Sequence, residues 1–426
     1  MGKIIRMILL MPIPFDVAAD LDIRVVPEHG GVYGVGDQAA WAVSVKDGEG
    51  VVSGELIYSL KSGGWTLLEE GKTNLVDGSC RIVSPPMDKA GSLLLEVQIG
   101  NARALGGAVF DWGSIQPSSP EPEDFDAFWQ SKVKELEAIP FDVQLEKVDV
   151  ADDVEYWKIT LSGYGGSRIH GQIAKPKKST GKLPVFLQLQ YAGVYPLERE
   201  WVVEPAQQGW LAMNVIAHDL PIDREKAFYD KQADGPLKTY ETIGNESREE
   251  SYFLRMYLSC YRAVEYLMNR PDWDGNVLHV RGASQGGLQS IVVAGLHRGV
   301  TSVAVNVPAG CDQTGEQVGR DCGWPKWGRW QSDGLRDKRM EAARYFDAVN
   351  FARRVTCPAI VGVGLVDQTC PPEGVMAMFN QLQGDKQLVI LPVAGHQAVG
   401  DSFDPFYKQE HEWVQAAKTG QPPPTE

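Results

Sequence analysis

Short runs of alternating apolar and polar residues fill the chain between about Leu21 and Phe110. The runs AAWAVSVKD, GELIYSL, CRIVSPP and SLLLEVQIG are separated by turns that contain glycine, aspartate or lysine. A period of two places successive side chains on opposite faces of a strand. Several short strands at regular spacing are typical of a sandwich, so we expect a small all-β domain of immunoglobulin-like type over residues 21–113.

A run rich in serine, proline and glutamate, residues 114–122, has the composition of a linker. Asp124 comes directly before a helical pattern, where an aspartate can cap the helix. The predicted apolar face of this helix comprises Phe125, Phe128, Trp129, Val133 and Leu136. We therefore expect a second domain to begin at residue 123.

Residues 123–426 alternate near-continuous apolar runs with helical patterns. The apolar runs are LPVFLQLQYAG, GWLAMNVIAHD, NVLHVRGAS, VTSVAVNVPAG, CPAIVGVGLVD and KQLVILPVAGH, and the clearest helical pattern is EESYFLRMYLSCYRAVEYLMNR. Strands that are apolar throughout are typical of a parallel sheet with helices on both faces. The sequence therefore predicts an α/β domain with a mostly parallel, doubly wound sheet, whose functional groups cluster at the carboxyl ends of the strands.

A serine stands where one of these strands ends, in Gly282-Ala283-Ser284-Gln285-Gly286. The flanking glycines permit a tight reversal from strand to helix, which places the hydroxyl near the free amides of a helix N-terminus. A G-x-S-x-G sequence between a strand and a helix is the nucleophile elbow of the α/β-hydrolase fold. We therefore predict that fold for the second domain, with Ser284 as the nucleophile.

The base and acid should follow this serine in the order Asp or Glu, then His. Asp367 follows the run AIVGVGLV and His396 follows ILPVAG, whereas His411 lies in a surface-helix pattern and is excluded. Singly, Asp367 could cap a loop and His396 could be an ordinary strand-end residue. Their order and strand-end positions predict a triad in which His396 takes the proton of Ser284 and Asp367 orients the imidazole.

An oxyanion hole needs two backbone donors. The amide of Gln285 follows the nucleophile and is one candidate. The loop after LPVFLQLQ supplies the other, where we favour the amide of Ala192 with its neighbours as alternatives. Tyr191 and Tyr195 of this loop are candidates to line the substrate pocket.

Residues 312–343 interrupt the α/β pattern and are predicted to form a lid-like insertion above the site. Trp324, Trp327 and Trp330 recur there at intervals of three. Aromatic rings stack on sugars and exclude water, so all three are substrate-binding candidates. The alternative is that they pack the insertion against the sheet or another subunit, which we favour for at least two of them.

The composition of the chain limits which classes of partner and cofactor we expect. The net charge of −15 disfavours nucleic acid, which is bound by clustered lysine and arginine. The 6 cysteines form no CxxC or Cys/His cluster, so no metal site is predicted, and serine acyl transfer needs no metal or organic cofactor. Cys311 and Cys322 flank one irregular segment and either pair or remain separate thiols.

The N-terminal residues 1–19 combine two basic residues, a short apolar run and the small residues Val17-Ala18-Ala19, which is typical of a signal peptide. Two prolines and an aspartate interrupt that pattern, so an N-terminal arm is the alternative. The protein is secreted or periplasmic in the first case and cytoplasmic in the second. Apolar runs stay shorter than the roughly 20 residues of a membrane-spanning helix.

From about Pro122 to His396 the chain resembles the acetyl xylan esterase and cephalosporin C deacetylase group, carbohydrate esterase family 7. The matching stretches are PEDFDAFW, RMYLSCYRAVEYLMNRPDWDG, GASQGG, VNVPAGCD, YFDAVNFARRVTCPAIVGVGLVDQTCPPE and LPVAGH. The resemblance implies a Ser-His-Asp esterase that removes acetyl groups from small substrates such as xylo-oligosaccharides, often as a homo-oligomer.

Three features depart from that family. Its usual Arg-Gly-Gln motif is replaced by VIAHDLPIDREKAF, Gln397 stands where glutamate usually follows the catalytic histidine, and the N-terminal β domain is extra. The departures leave the triad intact and leave substrate and oligomeric state open. Alternatives to the acetyl esterase are a general short-chain carboxylesterase, a glucuronoyl-type esterase or a peptidase of the same fold, and an inactive binding protein.

Overall fold

The computed structural model describes residues 21–48, 50–179, 181–329 and 333–424. The candidate signal peptide, residues 1–19, lies outside them. Nine strands come first. They are β1 Leu21–Pro27, β2 Val32–Tyr33, β3 Ala40–Asp47, β4 Gly50–Val51, β5 Gly54–Ser62, β6 Thr66–Leu75, β7 Ser79–Val83, β8 Gly91–Ile99 and β9 Ala102–Phe110.

These nine strands form two sheets. In one sheet β3 pairs with β1, β4 and β7, and in the other the order is β2-β9-β8-β5-β6. Trp41 and Val43 of β3 belong to the same buried cluster as Leu56 of β5 and Leu95 of β8. The two sheets therefore share one apolar core, which excludes water from their facing sides.

The rest of the chain alternates helices and strands. These elements are α1 Phe125–Glu137, β10 Gln144–Ala151, β11 Val154–Ser162, β12 Arg168–Pro176, β13 Leu183–Leu189, α2 Glu200–Gln207, β14 Leu211–Val215, α3 Lys226–Asp234, α4 Tyr252–Met268, β15 Trp273–Ala283, α5 Gln285–Leu296, β16 Ser302–Asn306, α6 Arg336–Phe346, α7 Ala348–Ala352, β17 Ala359–Gly364, α8 Pro372–Gln381, β18 Lys386–Leu391 and α9 Asp404–Lys418. Five of the six apolar runs contain one of these strands, and the run NVLHVRGAS covers all of β15 except its first three residues.

A nine-stranded sheet has the order β10-β11-β12-β14-β13-β15-β16-β17-β18. The strands from β14 to β18 run parallel to one another, and β10, β11 and β12 pair antiparallel. Leu187 packs in the core that holds α4, α5 and α8, whereas the adjacent Phe186 packs with α2 and α9. Helices therefore cover both faces, as predicted for a doubly wound sheet.

The helix α1 shows one correction to the sequence analysis. Its apolar face is buried as predicted, but Asp124 does not cap it with its side chain. The Asp124 carboxylate instead accepts hydrogen bonds from Arg248 at 2.7 Å and from the Tyr345 hydroxyl. Arg248 carries a full positive charge, which attracts the carboxylate more strongly than the uncharged amides at the start of the helix.

The first nine strands pack directly on the end of β17. A Cβ on Gly107 of β9 would lie 2.2 Å from the carbonyl oxygen of Leu365, which directly follows β17. Beside this contact, the buried carboxylate of Glu373 accepts the Ser92 amide at 2.5 Å and lies 3.6 Å from the Arg320 guanidinium. The two parts of the chain are therefore joined by backbone contact and by buried charge.

The predicted linker and insertion also make specific contacts. Ser118 donates to the Asp312 carboxylate at 2.6 Å, and Glu121 pairs with Arg354 at 2.7 Å. In the insertion, the Asp321 amide donates to the carbonyl of Gly63 at 2.8 Å. Within the described ranges, no helix has the length and apolar character needed to cross a membrane.

We expect Gly107→Ala to destabilise the protein by about 2 kcal/mol, because the added methyl must push Leu365 away from β9. Gly113→Ala is the matched control, since a Cβ there meets nothing within 4 Å. The control should change the free energy of unfolding by less than about 0.5 kcal/mol. Urea unfolding measures both, and equal effects would contradict the close packing.

Candidate active site

Ser284 connects β15 to α5 in a strained conformation. Its φ is 52° and its ψ is −121°, a region that residues with a side chain seldom adopt. A Cβ on Gly282 would lie 2.3 Å from the carbonyl carbon of Gly286, and one on Gly286 would lie 2.3 Å from the carbonyl oxygen of Leu189. The reversal therefore requires both glycines, as the sequence analysis expected.

The structure brings the three predicted triad residues together. The Ser284 hydroxyl lies 2.9 Å from Nε2 of His396, and Nδ1 of His396 lies 2.8 Å from Oδ2 of Asp367. With Nδ1–H donating to the carboxylate, Nε2 is free to accept the serine proton. This is the nucleophile, base and acid arrangement of serine hydrolysis.

The carboxylate of Asp367 is held from its other side. Its Oδ1 accepts the amides of Thr369 at 2.7 Å and Cys370 at 2.8 Å, and the Asp367 side chain is fully buried. Two backbone donors fix the plane of the carboxylate and compensate the cost of burying it. The His396 imidazole is therefore aimed by a group that is itself immobilised.

The parallel sheet explains why distant residues meet. β15, β16, β17 and β18 are neighbours in that order, so their carboxyl ends share one edge. Ser284 follows β15, Asp367 lies shortly after β17, and His396 lies shortly after β18. The exposed His411, which the sequence analysis excluded, lies on α9.

The loop after β13 lies against the elbow, because Leu189 touches Gly286. Gln285 opens α5, and the first amides of a helix have no acceptor within the helix. In the part of the chain that the structure describes, the amides of Tyr191 and Ala192 also have no acceptor, whereas the amide of Gly193 donates to the Tyr240 hydroxyl. Unpaired amides therefore flank Ser284 from two sides.

The aromatic candidates differ in exposure. Tyr191 is 46% exposed, and its ring stacks on that of Tyr195 with the ring centres 4.9 Å apart. Trp324 is half-buried beside Tyr240, and Trp327 is buried with its indole N–H donating to the Glu241 carbonyl. The packing alternative thus describes Trp327, and Trp330 lies outside the described residues.

Cys370 lies beside the triad. Its sulfur, the Asp367 carboxylate and the His396 imidazole have donor atoms within 4.8 Å of one another, a set that could hold a metal ion. The aspartate and histidine are already hydrogen-bonded to each other, and burial raises the pKa of the Cys370 thiol well above its ordinary value. A protonated thiol is a poor metal ligand. Cys311 and Cys322, which the sequence analysis left open, are separate buried thiols.

Sequence reasoning named Gln285 but did not single out His218 or Tyr240, whose side chains lie beneath the loop after β13. His218, Tyr240 and the amide side chain of Gln285 are buried there and form hydrogen bonds with the loop or with one another. Burial lowers the pKa of His218 to about 4, so its imidazole is neutral at pH 7. For His218 the sequence offered one signal, because this residue lies in the segment VIAHDLPID, which departs from the family pattern.

Two comparisons of sequence bear on this site. The family model described as acetyl xylan esterase matches residues 113–415. The acetyl esterase Axe7A of Xylanibacter ruminicola is 30% identical over 359 residues, which are 82% of this chain and 80% of that protein. The family match begins after β9, so the first nine strands lie outside it.

Two solved structures are similar to this chain. An acetyl xylan esterase from a Paenibacillus species has a TM-score of 0.61 at 22% identity and covers 72% of this chain and 98% of its own. Acetyl xylan esterase 1 from a Thermoanaerobacterium species has a TM-score of 0.59 at 21% identity, covering 70% and 96%. At these identities the matches establish the fold, and the predicted α/β-hydrolase type is confirmed.

The strain at Ser284 predicts an unusual order of stabilities. Ser284→Gly should be about 1 kcal/mol more stable than Ser284→Ala, because glycine adopts this φ and ψ without steric cost. Ser290 in the middle of α5 is the control, where glycine should be less stable than alanine by about 1 kcal/mol. Thermal unfolding of the four variants gives the order, and the same sign at both positions would contradict the strain.

Proposed function

Because residues 113–415 match the acetyl xylan esterase model, the chain belongs to that family, and we propose that it deacetylates xylo-oligosaccharides or similar small acetylated sugars through Ser284, His396 and Asp367. Membership makes it a carboxylic ester hydrolase that acts on acetylated carbohydrates. The observation that carries the mechanism is the continuous hydrogen-bonded chain from Ser284 through His396 to Asp367.

Acylation begins when the oxygen of Ser284 attacks the acetyl carbonyl carbon and its proton passes to Nε2 of His396. The amides of Gln285 and Ala192 donate to the resulting oxyanion. The C–O bond to the sugar then breaks as His396 protonates the leaving sugar oxygen. Water, deprotonated by His396, attacks the acetyl-enzyme, and acetate leaves as the proton returns to Ser284.

The sugar is held by aromatic stacking in this proposal. The exposed Tyr191 belongs to the same loop as Ala192, whose backbone amide is a proposed oxyanion donor. The ring of Tyr195 stacks on the ring of Tyr191. A sugar ring carries apolar C–H faces that fit such a surface. Trp324, which is half-buried beside Tyr240, is the candidate for a second wall.

The domain assignment is part of the proposal. Residues 21–113 form a separate immunoglobulin-like sandwich, 114–122 connect it, and 123–426 form the catalytic domain with an insertion at about 312–343. The shared core of the first nine strands supports this division, as does the start of the family match at residue 113. We assign the first domain a supporting role, since it packs against Leu365 and Glu373 near the proposed acid.

Hydrolysis of p-nitrophenyl esters of increasing acyl length tests the reaction. We expect the rate to be highest for acetate and to fall steeply by butyrate, because each methylene in a closed pocket is penalised by roughly 1–3 kcal/mol. Ser284→Ala and His396→Ala should lose about 10⁴-fold or more in kcat.

The matched control is His411→Ala, because that histidine is exposed on α9 and should be dispensable. A rate maximum at longer acyl chains would contradict the acetyl preference but keep the triad. Wild-type protein without activity on any ester would contradict the proposed mechanism.

Stacking on Tyr191 predicts a loss that depends on the substrate. Tyr191→Ala should raise KM for acetylated xylo-oligosaccharides by about tenfold, the equivalent of roughly 1.4 kcal/mol, and leave p-nitrophenyl acetate nearly unchanged. Tyr407→Ala is the control, because Tyr407 is similarly exposed, at 43%, on α9. An equal loss on both substrates would show that Tyr191 does not read the sugar.

A further inference from the structure

We propose that Tyr240 is a positioning residue that sets the distance between the two backbone donors of the oxyanion hole. The inference rests on the proposed function, because it takes Gln285 and Ala192 as those donors. Tyr240 lies in the segment between α3 and α4, and it is 5% exposed. It belongs to neither of the elements that carry the donors.

One hydroxyl joins both sides of the proposed hole. The Tyr240 hydroxyl donates to Oε1 of Gln285 at 2.5 Å and accepts the amide of Gly193 at 3.3 Å. Gln285 carries the first donor on its backbone, and Gly193 directly follows Ala192, the second. Because a phenol offers one proton and accepts with its lone pairs, the two contacts use it in complementary ways.

A second side chain holds the same glycine. Nε2–H of His218 donates to the carbonyl oxygen of Gly193 at 2.9 Å, and Nδ1 accepts the Tyr252 hydroxyl at 2.7 Å. Gly193 is therefore fixed through both its amide and its carbonyl, at a φ of 124° that favours glycine. The peptide unit next to Ala192 cannot rotate without breaking one of these contacts.

The side chain of Gln285 argues for a role in catalysis over a role in stability. It is 0% exposed, and its Nε2 has no hydrogen-bond partner among the described residues. A buried donor without a partner destabilises a fold, and a methionine would fill the same volume without that cost. What distinguishes glutamine here is the contact between Oε1 and Tyr240.

The test is steady-state kinetics of Tyr240→Phe on p-nitrophenyl acetate. We expect kcat to fall roughly 10- to 100-fold while KM changes by less than about two-fold, because misplaced donors weaken the transition state more than the bound ester. Affinity for an alkylboronic acid, which forms a tetrahedral adduct with serine, should weaken by a similar factor.

Tyr229→Phe is the matched control. Tyr229 is 1% exposed, and its hydroxyl also accepts a backbone amide, that of Arg224 at 3.2 Å, and donates to an oxygen, that of Pro221 at 2.6 Å. Its hydroxyl forms these hydrogen bonds away from Gly193 and Gln285. Both variants lose two buried hydrogen bonds, so equal kinetic losses would reduce Tyr240 to a structural residue and overturn the inference.

If Tyr240→Phe does not fold, a second variant tests the inference. Gln285→Met removes the acceptor of the Tyr240 hydroxyl, so this variant should also have a lower kcat and a nearly unchanged KM. If either variant folds and keeps the kcat of the wild type, the inference is wrong. The proposed function still stands in that case, because the wild-type protein is active. Inactive wild-type protein removes the proposed function itself and the inference with it.

Discussion

The close approach of three backbone segments at Ser284 determines where the other groups of the site lie. Gly282 and Gly286 touch within the elbow, and Gly286 also touches Leu189 at the end of β13. The second contact brings the loop after β13 against the N-terminus of α5, so that amides from both meet near the serine. A side chain at either glycine would separate the nucleophile from its proposed oxyanion hole, whatever the state of the triad.

The position of Asp367, the predicted acid, depends on contacts with the first nine strands. Leu365 packs against Gly107, and the Glu373 carboxylate accepts a hydrogen bond from Ser92. Both ends of the segment that carries Asp367 are therefore in contact with residues outside the family match. The Asp367 carboxylate is then oriented by amides of that same segment. The first nine strands thus pack against the segment that orients His396, even though they contribute no group to the predicted triad.

The sequence predicted the sheet and the triad because both follow from local patterns. Apolar runs mark parallel strands, and the carboxyl ends of parallel strands meet at one edge, which places Ser284, Asp367 and His396 together. Contacts between side chains far apart in the chain leave no such pattern. The pairing of Asp124 with Arg248, and the docking of β9 on Leu365, could therefore be read only from the structure.

The segment VIAHDLPID bears on the proposed oxyanion hole through one residue, His218. His218 in that segment accepts from Tyr252 with one ring nitrogen and donates to Gly193 with the other, which an imidazole does only in its neutral form. The proposed oxyanion hole is held from this side by Tyr240 and His218, which both contact Gly193, while the predicted triad keeps the order common to the fold.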